Sequence, residues 1–329
     1  MNNTLSKRAT TYSILVLVML ISSLMVHKSA CAAYEIVNID AGTQRDFVVG
    51  PGKQEITLDP GQTVTVNMTV ANRLGVKKTF SIDMEDISGS RDLDRPAVLL
   101  DNAVGPYSLK SYLHIPEYSV TLENGQRATV PVTITVPNDS EPGGLYGSVV
   151  VGVVSDPTAQ DLESGRSSGA NQLITRIGTL FFVRINGDVN EDGKVSDFYL
   201  KGNQKVLTSG PVTFDILYDN KGNVHQNPVG NIHVSNIFGA DVGVIEVDPW
   251  FALPNSLRLR EVVWDAPFLM GRYVATANIY PGYGEATSTL SVVFWVLPWK
   301  IILSILVALI VIIFGLRLLF SKVSIKIKR

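Results

Sequence analysis

The run Gly187-Asp188-Val189-Asn190-Glu191-Asp192-Gly193-Lys194-Val195 offers the donor set of a calcium loop. Asp188, Asn190 and Asp192 alternate, so their carboxylate and amide oxygens could converge on one hard cation, and Gly193 permits a sharp turn. The closing position, where a bidentate carboxylate would complete the shell, falls on Tyr199, and Asp197 lies two residues early. No helical pattern flanks the run. The alternative is an acidic Asp-Gly turn joining two domains; a bound ion would stiffen that hinge. No other cofactor is expected.

Catalytic patterns lack their context. Gly165-Arg166-Ser167-Ser168-Gly169 spells G-x-S-x-G, but a nucleophile elbow needs a strand-to-helix turn, and this stretch lies in a polar run without periodicity. His114, His225 and His233 fall outside any zinc-binding spacing, and no Ser-x-x-Lys occurs. The chain is therefore not expected to be an enzyme. Aromatic rings in turns could stack on sugars. Trp250-Phe251 after Asp248-Pro249, and Tyr280 and Tyr283 around Pro281-Gly282, are the candidates for a ligand surface.

The two ends decide where such a surface would be displayed. Lys7 and Arg8 precede an apolar run from Tyr12 to Val26, and Ala30-Cys31-Ala32 comes next as a cleavage site, so 1–32 is expected to be a signal peptide. Ile301 to Leu316 is apolar except for Ser304 and Gly315. With Trp295 and Trp299 as an outer interfacial belt, 297–320 is expected to be a transmembrane helix. The tail 321–329 carries Lys322, Lys326, Lys328 and Arg329 with no acid, which places the C-terminus in the cytoplasm and the N-terminal domains outside. Leu297-Pro298-Trp299-Lys300 lacks the Thr-Gly that a sortase would cleave, so the helix should stay attached.

Nine of the 28 basic residues lie in these ends, leaving 19 against all 30 acidic residues between Ala33 and Trp299. A region near −11 repels phosphate polymers, so nucleic acid is not an expected partner. Cys31 is the only cysteine and would leave with the signal peptide, so an apolar core must hold the mature chain together.

That core reads as β. Val64, Val66, Met68 and Val70 share one face of Thr63–Val70, and Val130, Val132, Ile134 and Val136 one face of Thr129–Val136. Leu145 to Val154 lacks alternation and should be buried on both faces. The polar stretch 155–171 reads as a hairpin excursion, with Leu173–Ile185 returning as the last strand of the first domain. Further strands are expected over Val212–Tyr218, Val229–Ile237, Val242–Val247, Leu257–Trp264, Gly271–Tyr280 and Ala286–Trp295. An internal echo, from Thr63 through Asn72, Gly75 and Val76 and from Val212 through Asn220, Gly222 and Val224, suggests two related modules. The expected fold is all-β, with two immunoglobulin-like or fibronectin-III-like sandwiches over 33–187 and 188–296 and a C-terminal transmembrane helix.

The stretches GQTVTVNMTVAN, HIPEYSVTLENGQRATVPVTITVPNDSEPGGLYGSVVVGVV and ITRIGTLFFVRINGDV resemble the N-terminal domain of the WxL-interacting proteins of bacterial cell surfaces. In the second domain the likeness is mainly architectural. The resemblance implies a peptidoglycan-binding first domain, a partner-binding second domain and one membrane anchor. Together these features lead to a non-catalytic, membrane-anchored surface protein that binds cell-wall glycan or a surface protein as a tether or scaffold. The alternative is an accessory subunit of a membrane secretion or wall-synthesis complex.

Overall fold

Side chains that alternate along a strand can bury one face and wet the other, and two such faces closed on each other make a sandwich. The computed structural model describes residues 34–321 apart from 41, 43, 155–173, 267 and 285. The expected leader, the G-x-S-x-G stretch and the basic tail lie outside the described residues.

The first domain holds β1 (Glu35–Asn38), β2 (Asp46–Gly50), β3 (Lys53–Leu58), β4 (Thr63–Arg73), β5 (Lys78–Gly89), β6 (Ala97–Leu99), β7 (Leu113–His114), β8 (Ser119–Leu122), β9 (Gln126–Thr135), β10 (Gly143–Val154) and β11 (Ile174–Ile185). One sheet runs β1-β9-β4-β2 with β7 beside β9; the other runs β3-β11-β10-β5-β6 with β8 beside β5. Met68, Val70, Val130, Val132 and Ile134 from the first sheet meet Phe80, Ile82, Val149, Val151 and Phe181 from the second in one core. β10 and β11 pair antiparallel from Gly143 opposite Ile185 to Val154 opposite Ile174, so the polar excursion does connect a hairpin. The opposite face of β10 is buried too, at Tyr146, Ser148 and Val150.

The second domain holds β12 (Gly193–Leu200), β13 (Val206–Leu207), β14 (Val212–Asn220), β15 (Val229–Asn236), β16 (Asp241–Val247), β17 (Ser256–Trp264), β18 (Gly271–Tyr280) and β19 (Ser288–Val296). Its sheets are β12-β14-β17 and β13-β19-β18-β15-β16. Phe214, Ile216 and Tyr218 pack with Ile232, Val234, Ala275, Ile279 and Phe294. The fold is thus all-β, two immunoglobulin-like sandwiches followed by one apolar helix.

The echo between the modules has a physical basis. The Asn72 amide donates to the carbonyls of Val76 (2.9 Å) and Leu122 (2.8 Å), while its Oδ1 accepts from Leu74 N. The Asn220 amide donates to Val224 and Ala252, each at 2.9 Å, while its Oδ1 accepts from Gly222 N. Each buried amide closes the turn after its strand and ties it to a neighbouring segment, satisfying backbone groups that the turn would leave unpaired.

The helix α1 (Trp299–Ser321) comes after β19 and the Leu297-Pro298 step. The most apolar 18-residue window of its stretch Trp299–Leu318 has a mean hydropathy of 3.0, and none of that window is buried against the rest of the chain. At about 1.5 Å per residue it is long enough to cross a ~30 Å hydrocarbon layer.

Candidate functional site at the domain seam and the β15–β16 tip

The outward face of β10 and β11 is where the second domain docks. Tyr146 (β10) and Phe182 (β11) form an apolar cluster with Ile87 (β5) and Leu253, the last from the segment between β16 and β17. Phe182 meets Phe251 edge-on at 5.2 Å and Tyr146 at 5.4 Å, and the His225 ring lies 5.6 Å from that of Tyr146. The His225 backbone N–H donates to the Tyr146 hydroxyl (2.5 Å), and the Tyr283 hydroxyl donates to the His225 carbonyl (2.6 Å). Arg184 covers the Tyr283 ring at 4.6 Å.

Polar contacts fasten the rim. Gly144 N donates to Asn223 O (2.9 Å), Leu257 N to Ser90 O (2.9 Å), and Arg91 spans both carboxylate oxygens of Asp219 at 2.9 and 3.3 Å. Gly89 runs so close to the second domain that a Cβ would sit 2.4 Å from the Pro254 carbonyl. Glu55 accepts from Lys53 (2.5 Å) and, at both carboxylate oxygens, from the Asn227 amide (3.1 Å each), with His225 Nε2 at 3.8 Å. His225 first, then Lys53 and Asn227, hold the Glu55 carboxyl down at about 2 against the opposing effect of partial burial.

Glu55, His225 and Tyr146 in a row could suggest a proton relay. However, Tyr146 is only 1 % exposed and its neighbours Phe182 and His225 are also buried. Burial pushes its phenol well above the usual range, so it stays protonated, and its oxygen already accepts the His225 N–H. The row locks two domains; it offers no activated nucleophile to a substrate.

Of the aromatic residues singled out in the sequence, Phe251 and Tyr283 belong to this seam. Trp250 is 6 % exposed, and its ring packs edge-on against Tyr218 in the second core. The expectation of an exposed turn there is incorrect, because the segment folds back and pairs Ala252 with Gln226. Phe251 and Tyr283 are taken up by the contacts just described, and Tyr280 is half-buried with its hydroxyl donating to Gly284 O (2.8 Å).

Of Asp188, Asn190 and Asp192, the last two run beside the Asn220–Asn223 turn. Asn190 N donates to Asn223 Oδ1 (2.9 Å), Asn223 N to Asn190 O (3.0 Å), and Lys221 N to Asp192 O (2.7 Å). A calcium loop must curl its oxygens around one point, whereas these contacts use the run as a docked linker. Tyr199 and Asp197 lie in β12, along β14. Among the described residues no group of three or more His, Cys, Asp or Glu side chains is placed to hold a metal.

A different aromatic is on display. Phe238, at the tip between β15 and β16, is 91 % exposed, and Ile237, Val242 and Val244 beside it are also exposed. The tip is held: Asn236 Oδ1 accepts from Phe238 N (2.9 Å) and Ala240 N (3.1 Å), and Gly239 takes the left-handed conformation at φ 80°. β16 ends its sheet, so among the described residues its outer backbone groups have no ladder partner there. The signal is present in the sequence, as Ile237-Phe238 occupy a turn bounded by Asn236 and Gly239 where polar residues are the norm.

No protein-family model matches the sequence, and no curated protein matches it. Among solved structures, the chain is similar to the class 5 fimbriae chaperone CfaA (12% identity, 76% of this chain and 99% of that one, TM-score 0.36). It is also similar to the YadV chaperone (11% identity, 75% and 100%, TM-score 0.36). A third is the Salmonella enterica SafA pilin in complex with the SafB chaperone (11% identity, 78% and 100%, TM-score 0.35). These are distant likenesses, and the fold stated above rests on the sheets themselves.

Proposed function

We propose that this chain is a non-catalytic, single-pass membrane protein whose two-domain body faces the exterior and binds another surface protein as a tether or scaffold. The observation that carries this reading is the exposed tip of Ile237 and Phe238 in the turn that leads into β16, the end strand of its sheet. Leaving a large ring in water forgoes about 2 kcal/mol of burial, and exposed apolar groups next to an unpaired strand edge are what a partner segment covers when it adds a strand. The partner this surface fits is an extended protein segment with apolar side chains at alternate positions. Cell-wall glycan is the less favoured ligand, since Trp250, Phe251 and Tyr283, which could have formed a stacking platform, are taken up in packing. The resemblance to WxL-interacting proteins implies the same kind of surface role.

The helix α1 supports the anchor. A fully exposed apolar cylinder is unfavourable in water, and the bilayer is the environment that removes the cost. Cysteine labelling of intact cells with a membrane-impermeant maleimide tests the topology in a Cys31→Ser background. Asp139→Cys should label in whole cells and Lys326→Cys only after lysis. The reverse pattern overturns the reading.

A further inference from the structure

Apart from the tip, the second domain gathers exposed apolar side chains where α1 begins. Phe268 is 60 % and Met270 56 % exposed, and Leu297 and Trp299 are also exposed. Phe268 and Leu269 line one cleft of about 290 Å³ with Pro298, Trp299 and Ile301, which puts the β17–β18 connection beside the first helical turn. Leu269 is buried in the core, and the Tyr273 hydroxyl accepts from Met270 N (3.1 Å) and donates to Met270 O (3.2 Å). Phe268 and Met270 are thus fixed on either side of an anchored residue.

The junction with the helix is equally fixed. Val206 and Leu207 pair with Trp295 and Val296, Leu297 N donates to Leu207 O (2.8 Å), and Trp299 N donates to Leu297 O (2.7 Å). Ile301 N and Ile302 N both donate to Pro298 O. Strand bonding therefore reaches Leu297 and helix bonding starts from Pro298, with no unbonded stretch to act as a swivel. The depth at which α1 sits sets the height of the domain above the bilayer.

We propose that Phe268 and Met270 form a second membrane contact, entering the interfacial layer of the outer leaflet beside Trp299, so that the second domain is seated on the lipid surface and not suspended above it. This rests on the reading of α1 as a transmembrane anchor. Continuity with that helix identifies the occupant as lipid: a bilayer positioned around Trp299 meets Phe268 at the same level, where aromatic rings partition well. Charge agrees. Lys205, Arg272 and Lys300 stand at this end, with Asp265, in a body that is otherwise acidic, which suits phosphate headgroups.

The test uses the full chain with Cys31→Ser, reconstituted singly in nanodiscs of phosphatidylcholine and phosphatidylglycerol. An environment-sensitive fluorophore is placed at Phe268→Cys, Ile310→Cys or Asp139→Cys, and nitroxide lipids labelled near the headgroup or deep in the acyl chain serve as quenchers. Phe268→Cys should be quenched several-fold more by the shallow nitroxide than Asp139→Cys, and Ile310→Cys chiefly by the deep one. If Ile310→Cys is quenched but Phe268→Cys matches Asp139→Cys, the seating is wrong and the anchor stands. If Ile310→Cys is not quenched, the anchor fails and the seating with it. Burial of the Phe268→Cys label that needs two chains per disc would identify a second copy as the occupant and overturn the lipid assignment.

Discussion

The turn after β4 and the turn after β14 are built alike and used differently. In the first domain the Asn72 turn leads to Val76, which is exposed, and to Lys77, paired at the surface with Glu123. In the second domain the Asn220 turn leads to Val224, which is fully buried, and on to His225, Gln226 and Asn227, which meet the other domain, the Ala252 segment and Glu55. One local solution to an unpaired turn therefore became solvent-facing decoration in one module and the socket of an interface in the other. The difference lies in the residues just past the glycine: Val76-Lys77 stays at the surface, whereas Val224-His225-Gln226-Asn227 offers groups that satisfy hydrogen bonds inside a protein.

Removing the ring in the socket should break the comparison most. Tyr146→Ala deletes a buried aromatic from three ring contacts and leaves the His225 N–H unpaired, costing about 3–5 kcal/mol. Calorimetry should then resolve two transitions where the parent shows one, because the loss falls on the seam. Next come the paired amides. Asn72→Ala and Asn220→Ala each remove a buried side chain bonded at three points, about 2–3 kcal/mol apiece by denaturant unfolding. Only Asn220→Ala should also increase hydrogen exchange at Gly144 and Tyr146, on the far side of the seam.

A smaller effect depends on pH. The Glu55 carboxyl sits below its ordinary value in the folded chain, so its contribution is present above about pH 4.5 and declines as pH falls towards 2. Because the group is substantially exposed, Glu55→Gln should cost only about 1 kcal/mol at pH 7, and the two proteins should converge in stability only as pH falls through about 2. Smallest of all, Phe238→Ser should change stability by less than about 0.5 kcal/mol, since a ring in solvent packs on little.

Legibility obeys the same physics. β4, β9 and β14 can be read because strict alternation of Val, Ile and Phe leaves one solution, and the β10–β11 hairpin because its β10 strand is apolar on both faces. β3 escapes a local reading: Lys53, Gln54 and Glu55 look like a polar loop, yet they form a strand parallel to β11, held by a partner about 125 residues away that no local pattern reveals. β12 is hidden because Asp188 to Asp192, just ahead of it, point to ion chemistry. Trp250 is misplaced for a related reason, as Asp248-Pro249 marks a turn but not whether the turn folds inward. The Asn72/Asn220 echo is visible as spacing; that one copy builds an interface depends on three-dimensional neighbours.

The most direct test of a protein-binding role is a photo-crosslinker carried at position 238 in the full chain on intact cells. It should give one discrete adduct with a protein, abolished when the same probe sits in the solvent-facing turn of the first domain at Val76. Adducts that dissolve on wall digestion, or none from position 238, would contradict that role for the tip.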